Sequence, residues 1–232
     1  MKIYDTKFIK DQFPALQRKV WDKKLVYLDS AASMQKPKRV LDAISKSYSF
    51  NYSNVHRGLH KLSEEATANY ECSRMKVAKF INCSENEVIF TSGATAALNL
   101  VAYSWGMNNL SAGDEIIITI AEHHANIVPW HFLRARKGIK LVWIDPDENG
   151  QISLKMIEDK INSRTKMLCL THMSNVFGSI IDVKMICSEL KKRGIVTVLD
   201  GSQAIVHLEI DVESIGCDFY TFTGHKLFGP TG

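Results

Sequence analysis

Apolar positions along the chain fall into short runs separated by stripes of helical spacing, and this alternation repeats from about residue 25 onward. Residues 195–199 are apolar except for Thr197, rich in β-branched side chains, and bounded by Gly194 and by Asp200 with Gly201. That pattern predicts a buried strand feeding a tight turn. Residues 219–222 form a second such run, closing in Thr223, Gly224, His225 and Lys226. Runs at 25–28, 88–90, 115–120, 139–144 and 167–170 predict further strands. Between them, Leu62, Ala66, Tyr70 and Val77 line one helical stripe with Ser63 as its cap, and Val183, Ile186 and Leu190 line another. Helices are also predicted over 40–48, over 127–137 with Pro129 in the first turn and Gly138 as terminator, and over 153–161. Residues 1–24, where Pro14 interrupts a loose helical spacing, read as an arm. Strand and helix alternating at such short spacing predict an α/β fold with a mostly parallel central sheet and helices on both faces.

In a parallel sheet the residues that follow each strand gather at one edge, where ligands bind. Asp200 and Lys226 close two of the runs, and neighbouring strands lie roughly 5 Å apart, so a flat ring can bridge an acid and an amine there. That pair suits pyridoxal phosphate, whose aldehyde needs an amine and whose ring nitrogen needs an anion. At an effective dielectric of about 20, a charge pair about 4 Å apart is worth roughly 4 kcal/mol. Taken singly, Asp200 is a turn residue and Lys226 a solvated lysine. Their weight comes from the other loops.

After the run at 88–90, Thr91, Ser92, Gly93, Ala94 and Thr95 open an alanine-rich helix, an arrangement that offers N–H groups to a phosphate. His123 and His124 follow the run at 115–120; adjacent histidines point apart, so one imidazole stacked on a planar cofactor and available for proton transfer is a better reading than a metal site. Asn175 follows 167–170, and Gln203 follows Asp200. Five loops thus supply a phosphate cradle, a ring, an amide, an acid and an amine.

Hydrophobic residues make up 45% of the chain and charged ones 23%, as in an ordinary globular protein. The net charge of +4 is scattered, giving no basic stripe and no expectation of nucleic-acid binding. The start lacks the apolar stretch of a signal peptide, and residues 116–120 are too short to span a bilayer, so a cytoplasmic, membrane-free protein is expected. Five cysteines without a CxxC pair fit a reducing compartment, and none stands beside a histidine as a nucleophile.

The segments YLDSAASMQKP, NVHRGLHKLS, FTSGATAALNLVA, EHHANIVPWHFL, HMSNVFGSI, VLDGSQA and DFYTFTGHKLFGPTG, in that order from Tyr27 to Gly232, resemble the class V aminotransferase family of fold type I pyridoxal-phosphate enzymes. Within it they are similar to the SUF-type cysteine desulfurases and selenocysteine lyases. The resemblance implies that Lys226 forms the Schiff base with the cofactor and shuttles a proton at the substrate α-carbon. Asp200 would pair with the ring nitrogen, Gln203 with the ring oxygen, and His123 would stack on the ring. Ala94, Thr95, Thr223 and His225 would hold the phosphate, and Asn175 would lie near the substrate carboxylate.

The implied reaction converts L-cysteine, or L-selenocysteine, to L-alanine and passes sulfur as a persulfide to an acceptor protein for iron–sulfur cluster assembly; a homodimer is implied as well. Ser92 and Ala96 depart from the basic and acidic residues often found around the phosphate loop, which bears on neighbouring partner contacts. The family continues past the lysine, through a cysteine-bearing loop and a further domain, whereas here six residues follow Lys226. The expectation is therefore an arm over 1–24 and an incomplete cofactor domain over 25–232, without the sulfur-accepting cysteine and without turnover by itself. A cofactor-binding remnant with no catalysis is the alternative of another class.

Overall fold

The computed structural model describes residues 4–231. Contacts divide the chain into two compact units, Met1–Phe80 with Ser84–Val88 and Gly224–Gly232, and Ile81–Cys83 with Ile89–Thr223.

The first unit carries α1 (Thr6–Asp11), a two-stranded antiparallel ribbon of β1 (Lys19–Val20) and β2 (Lys23–Lys24), α2 (Lys38–Lys46), and most of α3 (Lys61–Ile81). Asp5 caps α1 through hydrogen bonds from the backbone N–H groups of Lys7 and Phe8, both 3.0 Å. The strand expected over 25–28 does not form. Val26 and Leu28 are 74% and 90% exposed and their segment pairs with no strand among the described residues, so the apolar run alone gave a false signal. Ser63 does not cap α3, which starts at Lys61. Its hydroxyl instead donates to the Asn54 carbonyl and accepts the Gly58 N–H, tying the loop before the helix to its first turn. The strand expected over 88–90 is also absent: the Val88 N–H closes a turn on Glu85, and the Val88 carbonyl is taken by the Arg74 guanidinium.

The second unit contains α4 (Ala94–Val101), which passes through a widened turn into α5 (Met107–Asn109), then β3 (Glu115–Thr119), α6 (Val128–Lys137), β4 (Lys140–Ile144), α7 (Leu154–Glu158), β5 (Thr165–Thr171), α8 (Val183–Lys192), β6 (Val196–Asp200), α9 (Ala204–His207), α10 (Val212–Ile215) and β7 (Phe219–Thr221). The five strands β3–β7 form one parallel sheet in the order β4-β3-β5-β6-β7. Ile116, Ile118, Met167, Cys169 and Val198 point to one face and pack with Leu98, Trp130 and Leu133. Ile117, Leu168 and Leu199, at alternate positions, are fully buried as well. Burial on both faces is what a parallel sheet under helices requires, and it explains why these strands read as unbroken apolar runs. Pro129 lies in the first turn of α6 and Gly138 ends it with φ +69°, as the sequence predicts.

No helix among the described residues is long and apolar enough to cross a membrane.

Candidate active site

The register across the sheet sets the site. Thr171, Asp200 and Thr221 are paired in line at the carboxyl ends of β5, β6 and β7. Asp200 is 5% exposed, and its Oδ1 accepts the Ser202 N–H at 3.0 Å. Gln203 follows, buried, at the start of α9, and Thr223 lies buried just past β7. The acid thus ends a strand flanked on both sides, where the backbone cannot easily yield.

Gly93 precedes α4 with φ +134° and ψ 178°, a conformation in effect restricted to glycine, and no side chain caps the helix. A Cβ on Gly93 would lie 3.4 Å from Thr223 Oγ1. The N-terminus of α4, with Ala94 and Thr95 in its first turn, therefore meets the carboxyl end of β7. Exchange of Gly93 for alanine should cost about 1–3 kcal/mol of stability through backbone strain and crowd the Thr223 hydroxyl. Urea unfolding measures the first effect and affinity for pyridoxal phosphate the second; an unchanged affinity would place the phosphate elsewhere.

His123 and His124 sit on the turn after β3, both exposed, with ring centroids 6.4 Å apart and planes at 73°. His123 Nδ1 accepts the Ala125 N–H at 3.1 Å. Asn175 lies in the exposed loop after β5, where Ser174 Oγ accepts the N–H groups of Val176 and Phe177. All of these positions belong to the second unit, and all but Gly93, Ala94 and Thr95 follow strand ends. Lys226 and His225 belong to the first unit, in the single turn Gly224–Lys226. There the His225 carbonyl accepts the Met34 N–H at 3.1 Å and the Lys36 ammonium at 2.8 Å, and Ser33 Oγ lies 3.2 Å from His225 Nδ1. Burial, with the charges of Lys226 and Lys36, lowers the His225 pKa.

Several supporting residues escaped the sequence reading. Lys36 and Ser33 lie inside the segment YLDSAASMQKP but give no local sign of gripping the turn at 225. His172 Nδ1 lies 2.9 Å from the Tyr220 hydroxyl, and Gly201 leaves room for that ring, since a Cβ there would stand 2.2 Å from it. Glu122 is buried before His123, and burial lifts its pKa to about 7 against hydrogen bonds from Thr119, Thr171 and Asn126, with the charge of Asp200 adding to the rise. A carboxyl that holds its proton more tightly in the folded state favours folding most below its ordinary value of 4.5, and that contribution is lost as pH rises through about 7. Wild-type stability should therefore fall across this window by roughly 3 kcal/mol relative to the Glu122→Gln variant. Urea titrations at several pH values test this, and parallel pH profiles would contradict it.

The cysteines offer no ready thiolate among Cys169, Cys187 and Cys217. Burial raises all three, Cys187 to about 11 and Cys217 to about 12.

The family model of the class V aminotransferases matches residues 26–232. The chain belongs to the class V aminotransferase family. This is a family of pyridoxal-phosphate enzymes, and its curated relatives include cysteine desulfurases. The cysteine desulfurase of Wigglesworthia glossinidia brevipalpis is 46% identical over 231 residues, covering 99% of this chain and 56% of the relative. That of Serratia proteamaculans is 48% identical over 227 residues, covering 97% and 55%. Among solved structures, the Escherichia coli cysteine desulfurase CsdA, in an S-sulfonic acid form, matches with a TM-score of 0.87 at 38% identity over 99% of this chain and 57% of that one. The apo cysteine desulfurase of Thermococcus onnurineus matches with a TM-score of 0.89 at 35% identity, covering 99% and 56%. The chain spans about 55% of the length of the curated relatives it matches. Class V membership fits the parallel sheet and the alignment of polar residues at its carboxyl edge.

Proposed function

We propose that this chain carries the pyridoxal-phosphate site of a cysteine desulfurase, which takes sulfur from L-cysteine and leaves L-alanine. The meeting of Gly93 with Thr223 carries the reading, because it sets an uncapped helix N-terminus at the end of β7, beside the strand that ends in buried Asp200. A dianionic phosphate and a cationic ring nitrogen suit those two places: helix N–H groups with a hydroxyl for the first, a carboxylate for the second. The residues present fit the cofactor.

When bound, pyridoxal phosphate supplies an electron sink for the substrate α-carbon. The chain's own residues do the rest. Ala94 and Thr95 would offer first-turn N–H groups to the phosphate, with Thr223 and His225 as further donors. Asp200 would keep the ring nitrogen protonated, Gln203 would donate to the ring oxygen, and His123 would lie against the ring. With Nδ1 engaged by Ala125, the proton of the neutral His123 imidazole sits on Nε2, free to move toward substrate. Asn175 holds the substrate carboxylate, and Lys226 takes and returns the proton at the α-carbon. A thiolate other than Cys169, Cys187 and Cys217, which burial keeps protonated, would attack the substrate sulfur. The S–S bond of a persulfide would form as the C–S bond breaks and its electron pair passes to the carbon that becomes the alanine methyl group. The persulfide would pass its outer sulfur to an acceptor of the SUF type, in a homodimeric, cytoplasmic enzyme.

Alanine release from L-cysteine by the cofactor-loaded protein, compared with release from L-selenocysteine, tests the reading. Preference for the selenium substrate would move the assignment to a lyase of that class. Absence of visible absorbance from bound cofactor would sink it.

A further inference from the structure

We propose that Glu122 is a positioning residue, whose carboxylate fixes the turn presenting His123 and ties that turn to the end of β5, where the loop bearing Asn175 begins. Glu122 is 8% exposed. Its Oε1 accepts the Thr119 hydroxyl at 2.7 Å and the Thr171 N–H at 2.9 Å, and its Oε2 accepts the Asn126 amide at 2.7 Å. Asn126, fully buried, uses its own Oδ1 to accept the indole N–H of Trp130 at 3.1 Å, and Trp130 is fully buried in the core. The backbone closes the same turn, with Asn126 N–H donating to the His123 carbonyl at 2.8 Å.

The chain of contacts has one polarity. Trp130 can only donate, so Asn126 must turn its oxygen toward the indole and its NH₂ toward Glu122. Once ionised, as at the pH of about 8 used below, Glu122 must then accept on both oxygens. A glutamine at 122 would set one NH₂ against another, and turning Asn126 over to relieve this would leave the indole N–H unpaired in the core. Either arrangement leaves a buried donor unsatisfied. Asp200 on β6 and Cys169 on β5 are the ionisable groups of the neighbouring strands that couple to Glu122, and neither is among its hydrogen-bond donors, which are Thr119, Asn126 and Thr171. His123 and His124 flank the residue on its own turn.

For its catalytic consequence the inference rests on the reading of His123 given above, but its test does not. Exchanging the two groups, Glu122→Gln together with Asn126→Asp, restores the pairing: the new amide donates to the new carboxylate, which still accepts from Trp130. The imidazole ¹⁵N resonances of His123 are read at about pH 8 in cofactor-free protein, assigned with His123→Gln. Wild type should show an unprotonated Nδ1 and a protonated Nε2. Each single exchange should move His123 toward mixed tautomers and weaken cofactor binding about tenfold. The double exchange should return both to wild-type values.

A folded Glu122→Gln variant with wild-type His123 resonances overturns the proposal, as does a double exchange no better than the singles. If the single variants do not fold, a folded double variant with wild-type His123 resonances supports it and an unfolded one overturns it. Expected His123 shifts without any cofactor absorbance in wild type would sink the cofactor reading and leave the role of Glu122 standing. Cofactor absorbance with an unmoved His123 would do the reverse.

Discussion

Lys226→Ala will lose the visible absorbance of lysine-bound coenzyme, and exchange of the substrate α-proton with solvent will slow by at least the 10²–10⁴-fold, roughly, that a positioned proton-transfer group contributes. The turn that carries the lysine is braced. Leu227 and Gly229 N–H groups both close on the Gly224 carbonyl, at 2.9 and 2.8 Å, and the His225 carbonyl is gripped by Met34 and Lys36. Phe228 lies against Phe13 with ring centroids 5.8 Å apart, which anchors the residues just beyond. An amine used for covalent chemistry must sit within a narrow range of positions, and this bracing supplies the constraint. Lys226→Arg is the informative companion, because it keeps the charge and removes the ability to give up a proton. Absorbance should vanish in both variants; a band that survives in either would assign the covalent role to another lysine.

The second large effect belongs to Asp200. Replacement by asparagine preserves shape and the hydrogen bond from Ser202 while removing the charge. A charge pair at about 4 Å and an effective dielectric of about 20 is worth roughly 4 kcal/mol, close to a thousandfold. Exchange of the substrate α-proton at saturating cofactor should slow by about that factor, with a smaller loss of cofactor affinity, since the phosphate and lysine contacts remain. Asp200→Ala should add a packing loss to the same electrostatic one. An Asp200→Asn protein that exchanges the substrate α-proton at the wild-type rate would contradict the pairing with the ring nitrogen, however well it bound the coenzyme.

The sheet was legible because its strands are buried on both faces and so announce themselves locally, as residues 115–120 and 195–199 do. Asp200 and Thr223 were legible for the same reason: each is a polar residue that stops or closely follows an apolar run. The runs at 25–28 and 88–90 look similar in sequence, but a strand needs a neighbour to pair with. Val88 spends its backbone on Glu85 and Arg74 instead. Ser63 has the residue type of a cap, yet the helix starts earlier and the hydroxyl serves the preceding loop.

Glu122 could not be read at all. Its meaning depends on donors from Thr119, Asn126 and Thr171, and the last of these comes from another strand. Lys36 is hidden in the same way, since its partner carbonyl at His225 lies far along the chain. Local pattern reveals where a strand ends; it does not reveal which side chains converge from separate ends.

The central claim is that the coenzyme is held covalently by one lysine of this chain. Borohydride reduction of the cofactor-loaded protein, followed by mass spectrometry of its peptides, tests it most directly. The expected result is a single reduced adduct on the peptide containing Lys226, absent from Lys226→Ala. An adduct on Lys36 or any other lysine, or no adduct in protein that is folded and saturated, would contradict it.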